Sequence, residues 1–370
     1  MTGRLVFALA AGGTGGHLFP AEALAAVLDG RGHAVHLITD ARGKQYATAF
    51  LPGHVHQVAS ETLRAKTPGA LFAMVKAIFL GFLASRRILK RTGAHALVAF
   101  GGYPSVPPGL AAARLRLPIM LHEQNAVMGR GNRILAELSK VIATGFETVA
   151  KTPEKVRSRC RHTGNPIRPA ISEAHSAYEP PHPDGPLHLL VFGGSQGAMI
   201  FSKIVPAALV RLPEDMRARL RLVQQCRPED IDAVRAIYAE AGIEADLQTF
   251  FTDMPNRLAL AHLVVARAGA STVGELTVMG RPSVLVPLPG SLDQDQKANA
   301  TVLSDGGAAE MILQTDFSPE SLARTLETLF GDPQRLAAMA AAARALAVED
   351  AAERLADLAE AMVEETGTPQ

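Results

Sequence analysis

Residues 7–20, FALAAGGTGGHLFP, set Gly12, Gly13, Gly15 and Gly16 around Thr14 and follow them at once with His17. These residue types carry two kinds of chemistry. Glycines leave backbone N–H groups uncovered, and at a strand-to-helix turn such groups converge where a phosphate or a sugar can come close. An imidazole, with an ordinary pKa of about 6.5, takes or gives a proton at neutral pH. The run before the loop, Arg4–Ala10, reads as a short buried strand. The run after it, Pro20–His33, reads as a helix with Pro20 near its first turn and glycines at its end. Three uses of the loop stay open at this point. It is a plain turn, or a sugar or phosphate cradle with His17 as a working group, or a dinucleotide site. For the last, Gly13 and Gly15 supply two glycines of G-x-G-x-x-G, Leu18 replaces the third, and Asp40 ends the next strand as a ribose ligand.

A second constellation lies in VVARAGASTVGELTVMGRPSVLVPLPG, residues 264–290. Gly269 permits a sharp turn after a strand, and Ser271 and Thr272 stand where a helix begins, offering N–H groups to a diphosphate. Glu275 follows about one turn later, placed to accept hydrogen bonds from a ribose diol; the alternative is a capping box with Glu275 as partner. Next comes SLDQDQKANATVL, residues 291–303. Asp293-Gln294-Asp295 has the look of a metal-binding pair, but no further hard oxygen ligands cluster nearby, and no metal or other cofactor is expected. Gln296 and Asn299, three apart on a starting helix, share a face that suits sugar hydroxyls.

Two such sites need two scaffolds, and the chain repeats its opening pattern. LHLLVFGGSQGAMIFSKIVPAAL (residues 187–209) is again a strand, a glycine loop and a helix, and the Pro-rich YEPPHPDGP precedes it. ALVAFGG, PIMLHEQ, RLVQQC, LVVARAG and SVLVPLP read as further strands, each followed by a helical pattern. The pattern predicts an α/β chain of two Rossmann-like parallel-sheet domains, expected to face an interdomain cleft with ligands at the strands' carboxyl ends. The expected division is 1–166 and 167–347, with a last helix at about 348–370 packing back on the first domain. A length of 370 residues suits two domains, and a net charge of +1 excludes a general nucleic-acid binder. Cys160 and Cys226 lack the number and spacing for a disulfide framework or a zinc site. No signal-peptide pattern is present, so a reduced, cytosolic compartment is expected.

One stretch departs from an ordinary soluble pattern. GALFAMVKAIFLGFLASRRILKR, residues 69–91, carries Phe72, Ile78, Phe79 and Phe82 and then Arg86 and Arg87. Lys76 interrupts a run already short for a membrane span. A helix lying on an anionic membrane surface and a helix packed on a sheet with a solvated basic end both fit.

GGTGGH, GGYPSVPPGLAA, LHEQNAVMG, GNPIR, GGSQGA, FFTDM, RAGASTVGEL and DQDQKANA occur in this order. Over nearly the whole chain they resemble the MurG family of GT-B glycosyltransferases (family 28), which transfer N-acetylglucosamine from UDP-N-acetylglucosamine to lipid I. The resemblance implies that Thr14, Gly15 and Gly16 line the acceptor side and that His17 is the general base. It implies Asn125 near the two sugars, with Tyr103, His122 and Glu123 close by. Arg168 and Ser195 would meet the nucleotide diphosphate, and Phe251 would offer backbone hydrogen bonds to uracil. Ala270, Ser271, Thr272 and Val273 would cradle the diphosphate, Glu275 would hold the ribose, and Gln296 and Asn299 would grip the N-acetylglucosamine hydroxyls. The chain departs from the family pattern at Gln224–Arg227, where relatives carry a His-Gln-Ser/Thr-Gly run, and at ETLRAKTPGA, where Arg64 and Lys66 keep positive charge. The implied reaction inverts the anomeric centre without a metal and forms lipid II at the cytoplasmic face of the membrane. That work recasts residues 69–91 as a docking patch. The rivals are another GT-B transferase, a UDP-N-acetylglucosamine epimerase and, more remotely, a nicotinamide oxidoreductase.

Overall fold

The computed structural model describes residues 3–12, 15–46, 50–51, 53–60, 67–194 and 197–367. Thr14 and Ser195, together with Arg64 and Lys66, lie outside the described residues. The chain forms two compact units, Met1–Arg168 with Val348–Gln370, and Pro169–Ala347.

The first unit is built on seven strands: β1 (Val6–Ala10), β2 (Ala34–Thr39), β3 (Val55–Gln57), β4 (Ala96–Ala99), β5 (Ile119–Glu123), β6 (Val141–Thr144) and β7 (Cys160–His162). They pair in parallel in the order β3-β2-β1-β4-β5-β6-β7. Both faces of this sheet are covered, which is why its strands read as continuous apolar runs rather than alternating ones. The period of two still sorts the side chains. Phe7 and Leu9 join one core with Val98, Phe100 and Met120, while Ala8 and Ala10 join the opposite core with Leu97, Ala99 and Leu121. The C-terminal helix Ala351–Glu364 belongs to this unit: Leu355, Ala359 and Met362 enter the first core, and Arg31 meets Asp357 and Glu360 at 2.7 Å each.

The second unit repeats the plan with β8 (Leu187–Phe192), β9 (Leu220–Gln225), β10 (Ala245–Gln248), β11 (Leu263–Ala266), β12 (Ser283–Leu285) and β13 (Ala309–Met311), in the order β10-β9-β8-β11-β12-β13. In each sheet the strand order reverses beside its first strand, between β1 and β4 and between β8 and β11. The loops leaving those strands part at that point and open a crevice at the carboxyl end. The glycine loops of the sequence leave β1 and β8.

The first helix differs from the expected Pro20–His33. It runs Gly15–Gly30, so the second half of the glycine loop is already its first turn and His17 is a helical residue. Pro20 lies inside the helix, one turn beyond Gly16. A proline there removes the bond to the Gly16 carbonyl and crowds it, and a glycine at that position offers no side chain to add to the crowding.

Candidate active site

In the first unit three loops meet at the carboxyl ends of β1, β4 and β5. The β1 loop carries His17 on the first helix. The β4 loop carries Gly101, Gly102 and the short turn Tyr103–Ser105, whose Ser105 hydroxyl lies 2.8 Å from Ala10 O and 2.6 Å from Gly101 O, binding the two loops together. Gly102 has φ +72°, and a Cβ there would sit 3.3 Å from His17 Cδ2, so a bare residue lets the imidazole lie against the loop.

The β5 segment, HEQN, is a polar cluster in an otherwise apolar setting. His122 is fully buried; its Nε2 faces Gly164 O at 3.2 Å and its Nδ1 faces Gln124 Nε2 at 3.1 Å. Gln124 Nε2 also donates to Phe100 O at 2.9 Å, and Gln124 Oε1 faces His17 Nδ1 at 3.2 Å. Glu123 points to the other face of the strand. Its carboxylate accepts from Asn125 N (3.0 Å), Gly129 N (2.8 Å) and Asn132 Nδ2 (2.8 Å). Burial pushes the Glu123 carboxyl up against those donors, and burial drives His122 down to about 4. Asn125 and Tyr103 are half-buried at this rim. His122, expected from the sequence close to the substrates, is fully enclosed and stands behind Gln124. At the end of the unit's first segment, the Arg168 guanidinium lies 4.7 Å from the ring centroid of Phe19, two residues along the same helix from His17.

In the second unit the helix Ala270–Met279 starts at Gly269, with no side chain capping it. Its first N–H groups, those of Ala270, Ser271 and Thr272, therefore have no intrahelical acceptor, and Val273 N makes the first helical bond, to Gly269 O at 3.0 Å. The capping box, the alternative reading of this stretch, is absent, and Glu275 is buried one turn in. Two further expectations need separating. Gln296 is on the starting helix Asp295–Asp305, and its Oε1 accepts from Leu288 N at 3.0 Å. Asn299, expected beside it on a face turned to the sugar, is fully buried and donates to Ala268 O at 3.0 Å, bracing the turn before the helix Ala270–Met279. Phe251 is buried under the Arg257 guanidinium, 4.4 Å from its ring centroid, and Arg257 is itself held by Asp246 and Asp253.

Comparison with known proteins decides what these two sites belong to. Residues 7–144 match the glycosyltransferase family 28 N-terminal domain, and residues 188–355 match the glycosyltransferase family 28 C-terminal domain. The chain belongs to glycosyltransferase family 28. Within the family it is 55% identical, over 95% of each chain, to a protein of Methylobacterium sp. (strain 4-46) named UDP-N-acetylglucosamine--N-acetylmuramyl-(pentapeptide) pyrophosphoryl-undecaprenol N-acetylglucosamine transferase. A protein of the same name from Rhizobium etli (strain CIAT 652) is 49% identical over 96% of this chain and 94% of its own. Among solved structures it resembles MurG of Acinetobacter baumannii, with a TM-score of 0.78 and 32% identity over 97% of this chain and all of that one. A putative UDP-N-acetylglucosamine 2-epimerase from Listeria monocytogenes superposes with a TM-score of 0.69 at 17% identity over 99% of each chain, a likeness of fold alone. The fold is GT-B, as the sequence motifs implied.

Sequence reasoning missed three side chains that shape these family 28 sites. Gln124 sits in the HEQN run, whose other three members the resemblance brings forward. Period-two alternation is the signal that finds it: Met120, His122 and Gln124 share the strand face toward the first helix, whereas Glu123 faces away. Gln225, in the divergent Gln224–Arg227 segment, accepts from Gly193 N at 3.0 Å and donates to Thr249 O at 3.2 Å, tying the second glycine loop to the loop before Phe251. The departure from the family run thus keeps a structural amide. Arg267 is buried and donates to Val286 O (2.9 Å), Pro287 O (3.1 Å) and Gln314 Oε1 (2.7 Å), fixing the β11 and β12 loops; nothing local in the sequence marks it.

Proposed function

We propose that this chain transfers N-acetylglucosamine from UDP-N-acetylglucosamine to the C4 hydroxyl of the N-acetylmuramoyl pentapeptide of lipid I, giving lipid II. The reading is supported first by its full-length similarity to transferases of that name, and the single structural observation that carries it is the imidazole of His17 held at the glycine loop of the first unit. The first unit takes the acceptor and the second the nucleotide. The acceptor O4 attacks the anomeric carbon as His17 accepts its proton; the C1–O bond to the diphosphate breaks, and UDP leaves with the electron pair. Charge gathering on the diphosphate is met by the uncapped start of Ala270–Met279 and by Arg168. Glu275 holds the ribose and Gln296 the sugar, while Asn125 and Tyr103 border the acceptor. No divalent ion has a part in this scheme.

The acceptor is a lipid, and the helix Pro68–Thr92 is suited to meet it. Phe72 (72% exposed), Val75, Phe79 (59%) and Leu80 stand in water on one face with Lys76, Arg87 and Lys90, and the helix contains no acidic residue. Ile78 and Phe82, expected in the same patch, are half-buried on its flank, where Phe82 packs against the core; Arg86 is also half-buried. Among the described residues no helix is long and apolar enough to cross a membrane. The exposed stripe lies on the cytoplasmic membrane surface, its aromatics among the acyl chains and its cations on anionic headgroups.

UDP release from UDP-N-acetylglucosamine, with and without a lipid I analogue and in excess chelator, tests the assignment. Acceptor-dependent release with a disaccharide product is expected. Hydrolysis or epimerisation without acceptor discards the transferase reading, and activity restored only by magnesium discards the metal-free scheme.

A further inference from the structure

The hydrogen positions along His17, Gln124 and His122 follow from two backbone carbonyls. Gly164 O only accepts, so His122 Nε2, 3.2 Å away, carries a hydrogen. Burial keeps His122 neutral at pH 7, with a value of about 4, so its other nitrogen, Nδ1, is a lone pair. Phe100 O also only accepts, so the atom of the Gln124 amide 2.9 Å from it is the nitrogen. The second hydrogen of that nitrogen meets the lone pair on His122 Nδ1 at 3.1 Å. Two separate acceptors thus demand the same orientation of the amide, which leaves Oε1 facing His17 Nδ1 at 3.2 Å. An amide oxygen cannot donate. His17 Nδ1 therefore bears the hydrogen, and its basic lone pair is on Nε2, the atom that lies beside the bare Gly102.

We propose that Gln124 is a positioning residue that locks His17 in the Nδ1–H tautomer, so that a proton removed from the acceptor hydroxyl can go only to Nε2. The inference rests on the reading of His17 as the base. Gln124 touches no substrate: it is 1% exposed and acts through the ring. A free neutral imidazole in water favours the opposite tautomer, with its lone pair on Nδ1, which here would point the base into the protein. His122, at the inner end of the chain, is the group that holds the amide.

The test is a long-range proton–nitrogen NMR spectrum of the full chain labelled with 15N-histidine, with the His17 signals assigned by their loss in His17→Gln. A protonated Nδ1 and an unprotonated Nε2 are expected; an Nε2–H ring in the unaltered protein overturns the proposal outright, whatever the variants do. Gln124→Leu should shift the ring toward the Nε2–H form and lower kcat by about 10- to 100-fold with the donor KM within about two-fold. A Gln124→Leu enzyme with unaltered kcat and ring signals overturns the proposal. Failure of the underlying reading looks different: His17→Ala then turns over normally, while the wild-type tautomer is still Nδ1–H.

Discussion

The loops at the strand ends of the first unit present side chains, and those of the second present backbone. In the first, His17 is backed by Gln124 and His122 in a line of hydrogen bonds ending on Gly164 O. In the second, the helix Ala270–Met279 opens from Gly269 with no side chain over its N–H groups, and the polar residues around it, Asn299, Gln225 and Arg267, hold loops in place. Elsewhere in that same unit a side chain does the capping: Ser318 accepts from Ser321 N, and Asp332 from Arg335 N. Removing a proton needs one lone pair aimed at one point, and only a buried hydrogen-bond chain fixes that. Binding a diphosphate needs several donors converging from the main chain, and a side-chain cap would compete with it.

The largest effect expected from this contrast is on His17. His17→Ala should lower kcat by about 10²- to 10⁴-fold and leave the donor KM within about two-fold. Glu275→Ala should do the reverse, raising the donor KM by about ten-fold or more through loss of a charged hydrogen bond to the ribose, with kcat less affected. Steady-state kinetics on both variants decides. If His17→Ala acts mainly on KM, or Glu275→Ala mainly on kcat, the division of labour between the units is wrong.

Much of this contrast is legible in the sequence. Strand, glycine loop and helix are readable twice, because a strand covered on both faces must be continuously apolar and its neighbours must punctuate it. His17 as a candidate working group and the Gly269 turn follow from residue type and position, while the role of base comes with the resemblance. What is not legible depends on distance in the chain. Gln124 is 107 residues from His17, and only the order β1-β4-β5 brings them together. Asn299 reads as a sugar ligand because helical spacing gives a face but not which way that face turns; in the fold it turns inward to Ala268. The start of the first helix is misplaced by the sequence because Pro20 reads as a first-turn residue, whereas here the helix accommodates it after Gly16.

A smaller effect sharpens the role of the first unit as the acceptor side. Phe72→Ser with Phe79→Ser should weaken binding to anionic vesicles by about ten-fold, less than full burial of two phenyl rings is worth because the rings enter only the interfacial region. Turnover of a water-soluble acceptor should stay as it was, since both side chains already stand in water. Equal loss with the soluble acceptor would remove the membrane role from this helix.

The smallest effect concerns a carboxyl that the transfer scheme does not use. Glu22 lies five residues beyond His17 on the same helix, with Oε1 buried and without a hydrogen-bond partner among the described residues. Burial pushes its pKa up to about 7, against the pull of Arg168, which stacks on Phe19 one turn back. A carboxyl raised above its unfolded value of about 4.5 keeps its proton in the folded state over that interval. Stability from this group is full below about pH 4.5 and declines as pH rises through about 7, where folding must bury a charge. A tenfold change in proton affinity corresponds to about 1.4 kcal/mol, but Glu22 is only partly enclosed, and screening by solvent reduces the whole effect to about 1 kcal/mol. Glu22→Gln should therefore unfold at the same temperature as the parent at about pH 4.5 and about 1–2 °C higher at about pH 8. Calorimetry at the two pH values separates this from a general gain in stability, which would raise both, and a variant less stable at the higher pH would mean that the carboxylate is paired with Arg168 in the folded chain.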